Sequence, residues 1–316
     1  MGLKPSGRPS EPLRPCLREI DVDRGVVVRE LRYEVAPAHA PSPRAHQEFT
    51  AAALLPDGRL LQPAHTELLW IDPDRLRVDR VVSHPLFHGV HSAAPEPDGG
   101  AILTCAGTES VLEVDPAGGV RAHHWLRDGA FAAAYPGIDD FRRVDHDALK
   151  PHSHHPNHAL RVGADLWVTC FEPQDCRSIT RPGRRIPLPE AIPHDGRLRG
   201  GWLWFTQIVG RIVAVDPVTL ERRLELDLRE LAPGGGLLGW CRGIEVVGSR
   251  LFVGMSALRH TRHREVLRQL LGGGPRRPAR IVEVDLDRGV VVREIPVGND
   301  AGGTIYSVLA PPGAAG

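Results

Sequence analysis

Lysine is almost missing from this 316-residue chain: only Lys4 and Lys150 occur, although lysine and arginine together number 39. A genome-wide composition bias accounts for the scarcity, yet it draws attention to where Lys150 falls. There is no excess of either sign of charge, 39 basic against 39 acidic residues. That balance excludes a general nucleic-acid surface or a binder of acidic membranes. No apolar run approaches the roughly 20 residues of a membrane helix. Residues 1–13 hold Gly, Pro, Arg and Ser with no apolar stretch, so no secretory signal is expected. The five cysteines, Cys16, Cys105, Cys170, Cys176 and Cys241, are odd in number and include no CxxC pair. This excludes a disulfide framework and points to reduced thiols in a cytoplasm. Cys170 and Cys176 read as ordinary buried residues, with soft metal ligation as the other reading.

What the chain does have is a repeat. Residues 18–31 read REIDVDRGVVVREL, and residues 283–295 read EVDLDRGVVVREI. Residues 68–82, 111–125 and 211–226 share the form: an apolar strand, an Asp-led turn, then an alternating strand. Asp21, Asp72, Asp115, Asp216 and Asp285 lead these turns, because a carboxylate can accept backbone N–H groups two or three residues on. A further hairpin fits around residues 179–187, with its turn at Arg181, Pro182 and Gly183. Ahead of most hairpins lies a glycine with a short apolar strand, at Gly58, Gly100, Gly163, Gly201 and Gly248, and ahead of that another short strand. Four strands per unit, repeating every 40–50 residues or roughly so, is the rhythm of a β-propeller.

The expected fold is therefore all-β, a β-propeller of about six blades in a single domain over residues 15–312, after a flexible tail of residues 1–14. Five units are complete. The sixth joins the hairpin of residues 17–33 to a strand at 304–309, so that the last blade is closed by both chain ends. Two insertions, about 128–155 and 257–274, are expected over one face; residues 262–271 have helical spacing.

The first insertion ends in Lys150-Pro-His-Ser-His-His-Pro-Asn-His158, which holds His152, His154, His155 and His158, four of the 16 histidines. The innermost strand of each blade lines the channel, so its first residue sits at the mouth. Around the ring those positions read Thr50, His91, His158, His194, Arg242 and Tyr306. Taken one by one, these histidines read as polar channel linings. As a trio in register, His91, His158 and His194 read as ligands of a divalent transition metal such as Zn, Fe or Mn, with His88 and His155 as substitutes. Asp195 reads as a turn cap or as the acceptor that orients an imidazole. Arg242 and Lys150 are the candidate anion anchors and catalytic cations, and His152 the candidate general base. For Arg242 a salt bridge to Glu109 or Glu172 is the competing reading. Tyr306 and Trp240 complete the candidate substrate-binding set, while Trp167, Trp202 and Trp204 read as core between blades. The mixed charges of residues 139–147 read as a solvated loop wall.

This rhythm resembles the six-bladed propeller superfamily of gluconolactonase/paraoxonase-like and NHL-repeat proteins, over nearly the whole chain. The lactonases of that group hold a channel Ca²⁺ with Glu, Asn and Asp, whereas the matching positions here are His91, His158, His194 and Arg242. The three-histidine pattern looks more like the zinc-dependent amidoglycolate lyases, although their local motifs are absent. There is a looser likeness to bacterial propellers with His-rich blade starts. Two functions are carried forward. One is a metal-dependent hydrolase or lyase acting on a small anionic substrate at the channel mouth. The other is a non-catalytic propeller that binds a small molecule or a protein partner on the same face. Neither calls for a nucleic acid or a membrane.

Overall fold

The computed structural model describes residues 15–42, 47–127, 137–232, 239–257, 277–298 and 303–311. Among the described residues, twenty-two strands form five four-stranded antiparallel sheets and one two-stranded hairpin. The sheets run β3–β6 (Ala53–Leu54, Leu60–Ala64, Glu67–Asp72, Arg77–Val82) and β7–β10 (Val90–Pro95, Ala101–Cys105, Ser110–Val114, Val120–Trp125). They continue with β11–β14 (Pro156–Val162, Asp165–Cys170, Asp175–Ser178, Arg185–Pro187) and β15–β18 (Arg197–Arg199, Trp202–Gln207, Arg211–Val215, Arg222–Asp227). The last is β19–β22 (Trp240–Val247, Arg250–Ser256, Arg280–Asp285, Val290–Pro296). This is a β-propeller with strands ordered from the axis outward. The described helices are single turns, and none is long and apolar enough to cross a membrane.

The Asp-led turns form as their chemistry requires. Asp72 Oδ1 accepts from the amides of Asp74 and Arg75 at 2.9 and 3.0 Å, and Asp216 Oδ1 from Val218 and Thr219 at 2.8 and 3.1 Å. Asp21, Asp115 and Asp285 each accept one such amide, from Arg24, Gly119 and Arg288. The third blade's outer hairpin is Asp175–Ser178 with Arg185–Pro187, so the Arg181–Gly183 turn lies where the sequence puts it and the hairpin starts earlier.

The core lies between sheets rather than inside one. Trp70, Leu61 and Leu68 of the first sheet pack on Phe87, Leu103 and Leu112 of the second. Trp167 packs on Phe205 and Leu203, and Trp204 on Val253 and Met255. Trp70, Trp167 and Trp204 are thus inter-blade core, and none of the five cysteines is in a disulfide, Cys105, Cys170, Cys176 and Cys241 being buried. Burial pushes the thiols of Cys105 and Cys176 up to about 12, so they stay protonated at neutral pH.

The expected six blades are corrected to five. The N-terminal hairpin, β1–β2 (Cys16–Asp21, Val26–Arg32), is a sheet of two strands, and residues 303–311 carry no strand. The C-terminal segment spends its polar groups elsewhere. Gly303 O accepts from Ala257 N, Ile305 N donates to Ser256 Oγ, and Ser307 Oγ accepts from Ala52 N. Its side chains still join both ends of the chain: Ile305 and Val308 pack with Ile20, Val22 and Ile281, and Leu309 with Leu17 and Leu31. Removing residues 303–316 is therefore expected to lower the unfolding midpoint of the whole domain, with the partly buried Ile305, Val308 and Leu309 each contributing less than the roughly 1.5–3 kcal/mol of a fully buried aliphatic side chain. A truncated protein that unfolds in a single transition at the same midpoint would make the segment an appendage.

The first insertion is described from Gly137 onward. It holds two 3-10 turns, Phe141–Arg143 and His146–Leu149, the former capped by Asp140 Oδ1 accepting from Arg142 N. Asp140 also pairs with Arg142 and Arg143. The expected helix at 262–271 lies outside the described residues.

Candidate functional site at the channel mouth

All five inner strands enter their sheets in the same way. In the second blade Val90 pairs with Cys105 and Ser92 with Thr104, so His91 is an extra residue. In the third, Pro156 pairs with Cys170 and His158 with Thr169, so the extra residue is Asn157. The fourth pairs Pro193 with Gln207 and Arg197 with Trp204, and His194 N donates to Thr206 O between them. The fifth pairs Cys241 with Met255 and Ile244 with Val253. The first pairs Phe49 with Ala64 and Ala53 with Leu61. Each inner strand therefore has one residue more than its partner: His91 and Asn157 directly after the first pair, and one residue within 50–52, 194–196 and 242–243 in the other blades. A bulge of this kind re-aims the side chain of the extra residue.

The residues directly after the first pair are Thr50, His91, Asn157, His194 and Arg242. This position coincides with the ring expected from sequence at Thr50, His91, His194 and Arg242 and differs from it by one residue at His158. Side chains alternate along a strand, so a one-residue offset puts His158 at the position that Ser92 and Asp195 hold after His91 and His194. The geometry agrees. The rings of His91 and His194 lie 5.0 Å apart, and Tyr306 stands 5.6 Å from His91 and 6.3 Å from His194. His158 makes no ring contact with either, and among the described residues no three His, Cys, Asp or Glu side chains are placed to hold a metal ion. The trio His91, His158 and His194 is not brought together as one ligand set.

Arg242 completes the mouth. Its guanidinium carbon lies 4.8 Å from the Trp240 ring centroid and 4.7 Å from that of Tyr306. The Tyr306 hydroxyl donates to Glu48 Oε2 at 2.8 Å; burial pushes this phenol up to about 12, with Arg242 working against the rise. The competing salt bridge from Arg242 to Glu109 is not formed, because Glu109 is engaged by Arg127.

Glu109 has a different task. Fully buried, it accepts with one oxygen from three successive amides: Ser153 at 2.7 Å, His154, and His155 at 2.9 Å. That clamp holds the histidine loop over the ring. His155, at φ +45°, sets its imidazole 5.6 Å from His91 and 5.3 Å from Phe171. His152 meets His155, their Nδ1 atoms being 2.8 Å apart. Lys150 is exposed on the same loop. His88, a substitute ligand by sequence, faces the insertion instead, with Nε2 at 3.2 Å from Val144 O.

Asp195 is the residue sequence reading underrates. It caps no turn. Wholly buried, its Oδ2 accepts from Thr206 Oγ1 at 2.5 Å and from Gly243 N at 2.9 Å, and stands 3.8 Å from His194 Nδ1. It stitches the fourth blade to the fifth and faces a mouth histidine. Burial is the main cause that lowers His91 and His194, helped by Arg242; on His194 the Asp195 carboxylate opposes it. Both imidazoles are neutral at pH 7. Both are more than nine-tenths buried, and His91 Nδ1 and both nitrogens of His194 have no hydrogen-bond partner. Buried polar atoms are usually satisfied, so orphans gathered at one mouth mark a place where a ligand or water belongs. A separate surface cavity of about 480 Å³, lined by Ile138, Asp139, Asp140, Arg143 and neighbours, shares no residue with this ring.

Mouth, bulges and blades together define the chain as a β-propeller with a polar axial site, and comparison with solved structures places it in the same class. A protein of unknown function from Bacteroides caccae superposes with a TM-score of 0.61 at 16% identity, covering 93% of each chain. The β-propeller domain of Myceliophteria thermophila Cps50 (Swd1) gives 0.52 at 12% identity, covering 90% of this chain and 80% of that one. Streptogramin B lyase gives 0.50 at 15% identity, covering 80% and 70%. No family model and no curated protein matches the sequence. At such identities the likeness is one of fold.

Proposed function

We propose that the protein is an enzyme, a hydrolase or lyase, that takes a small anionic substrate at the channel mouth. One observation carries the reading: His91 and His194, buried, neutral and with unpartnered nitrogens, converge beside the guanidinium of Arg242. A neutral imidazole backed by a carboxylate accepts a proton. His194, with Asp195 behind it, is the general base for a substrate carbon or a water. Arg242 holds the anion and balances the charge that develops as the proton leaves. Tyr306 and Trp240 orient Arg242, and His155 and His152 form the outer wall. Lys150, exposed on the loop, is a candidate for attracting the anion and not for contact with the reacting atoms.

A divalent transition metal is the second reading. It is favoured by the same orphan nitrogens, with His155 replacing His158 as third donor beside His91 and His194. The residues as placed do not yet form such a set, so no step is derived through an ion. The lyase among the similar folds lends this chain no residue.

The test is turnover on panels of small carboxylate and phosphate esters, lactones and eliminable acids. His194→Gln and Arg242→Ala are each expected to reduce the rate at least about 100-fold while circular dichroism stays that of the wild type. Metal content of wild type and of His91→Ala, measured together, decides the second reading. A folded wild type that neither turns over nor binds any of these compounds would favour the non-catalytic propeller with a protein partner.

A further inference from the structure

We infer that the ligand of this mouth is a monocarboxylate carrying a compact apolar group; the inference rests on the mouth being an anion site, as proposed above. Arg242 gives the first reason. Its guanidinium carbon lies over two aromatic rings, 4.8 Å from the centroid of Trp240 and 4.7 Å from that of Tyr306. Its Nε is buried and has no hydrogen-bond partner. An edge with a vacant Nε–H offers the planar two-donor fork that fits a carboxylate.

Charge gives the second reason. The ionised groups that act on His91, His194 and Tyr306 are one guanidinium, Arg242, and two carboxylates, Asp195 and Glu48. Two negative charges thus stand at the mouth before any ligand arrives. The cost of burying an ion rises steeply with its charge, so a single negative charge suits this mouth better than the two of a phosphate dianion. The apolar wall is the third reason. Trp240 packs on Phe171, Ala191, Ile192, Ile208 and Val209, and these come from the third and fourth blades on the side where His155 meets Phe171. A ligand whose carboxylate meets Arg242 therefore has aromatic and aliphatic side chains beside its other end.

The test is calorimetric titration of the wild type with benzoate, acetate, benzamide and inorganic phosphate. Benzoate should bind at least tenfold more tightly than acetate, and benzamide, the neutral isostere, at least tenfold more weakly than benzoate. Phosphate should bind more weakly than benzoate. Arg242→Lys keeps the charge without the fork and should lose benzoate affinity by tenfold or more, with unfolding unchanged. If that variant does not fold, Phe171→Ala supplies the second arm, with benzoate weakened and acetate unaffected. Phosphate binding more tightly than benzoate would overturn the carboxylate while leaving the anion site standing. Acetate equal to benzoate would overturn the apolar group. A folded wild type that binds none of the anions would overturn this inference together with the anion-site reading beneath it.

Discussion

Acidification from neutral pH is expected to unfold this protein steeply, well before its carboxylates are protonated. His158 is the main reason. Burial, then the charge of Arg197, holds its imidazole down from 6.5 to about 3. Below 6.5 the unfolded chain binds a proton at this residue and the folded chain does not. Unfolding therefore takes up a proton, and stability falls as pH falls. The contribution is fully present above the ordinary histidine value and is lost progressively toward about 3. The slope is about 1.4 kcal/mol per pH unit for each such group. His91 and His194, also lowered by burial, act in the same direction as pH falls below the ordinary histidine value. Asp195 is held well below the usual carboxylate range, so its contribution is lost only at more acidic pH. Urea unfolding at stepped pH values measures the slope, and His158→Asn should flatten it by about one proton. A variant with the wild-type slope would mean that His158 is solvated in the folded state.

Asp195→Ala is expected to be the most damaging single substitution. It removes the acceptor of Thr206 Oγ1 and of Gly243 N, all in a fully buried place, and leaves the buried Arg197 without the first carboxylate acting on it. Leaving a buried donor without its acceptor costs about 1–3 kcal/mol for each such group. The damage should also reach the mouth. Gly243 follows Arg242 with φ +75°, and a side chain there would meet the backbone of Ser307 at 2.9 Å, so this residue has little room to resettle. Losing its hydrogen bond to Asp195 releases the bulge that presents Arg242. Unfolding by urea, together with benzoate binding by the fraction that stays folded, separates the two effects. Asp195→Asn keeps an acceptor at the same place and should lose less stability. A loss from Asp195→Ala below about 1 kcal/mol, the scale of an ordinary cap, would return Asp195 to the role of turn cap.

The blades were legible in the sequence because each is a local object. An apolar strand, an aspartate whose carboxylate gathers the next amides, and an alternating strand need only a dozen neighbouring residues, and Asp72, Asp216 and Asp285 all do in the structure what their neighbours imply. The inter-blade tryptophans followed from the same strand pattern. The number of blades was not local. The hairpin of Cys16–Arg32 carries the same DRGVVVRE string as Asp285–Glu294, yet it pairs only with itself, because residues 303–311 bond to Ser256, Ala257 and Ala52 instead.

The site divides along the same line. His91, His194 and Arg242 could be placed at one mouth because each begins a recognisable strand. His158 begins one too, but the extra residue of each inner strand is visible only against its partner strand, and in the third blade it is Asn157. One signal was there to read: Pro156-Asn157 aligns with Pro193-His194, which already sets Asn157, not His158, opposite His194. Asp195 and Glu109 had no such signal. Each acts on amides far away in the chain, at Gly243 and at Ser153 to His155, and only folding brings a carboxylate to amides that distant. Strand chemistry is written in neighbouring residues; which side chain faces the axis depends on a one-residue offset that the paired strand alone defines.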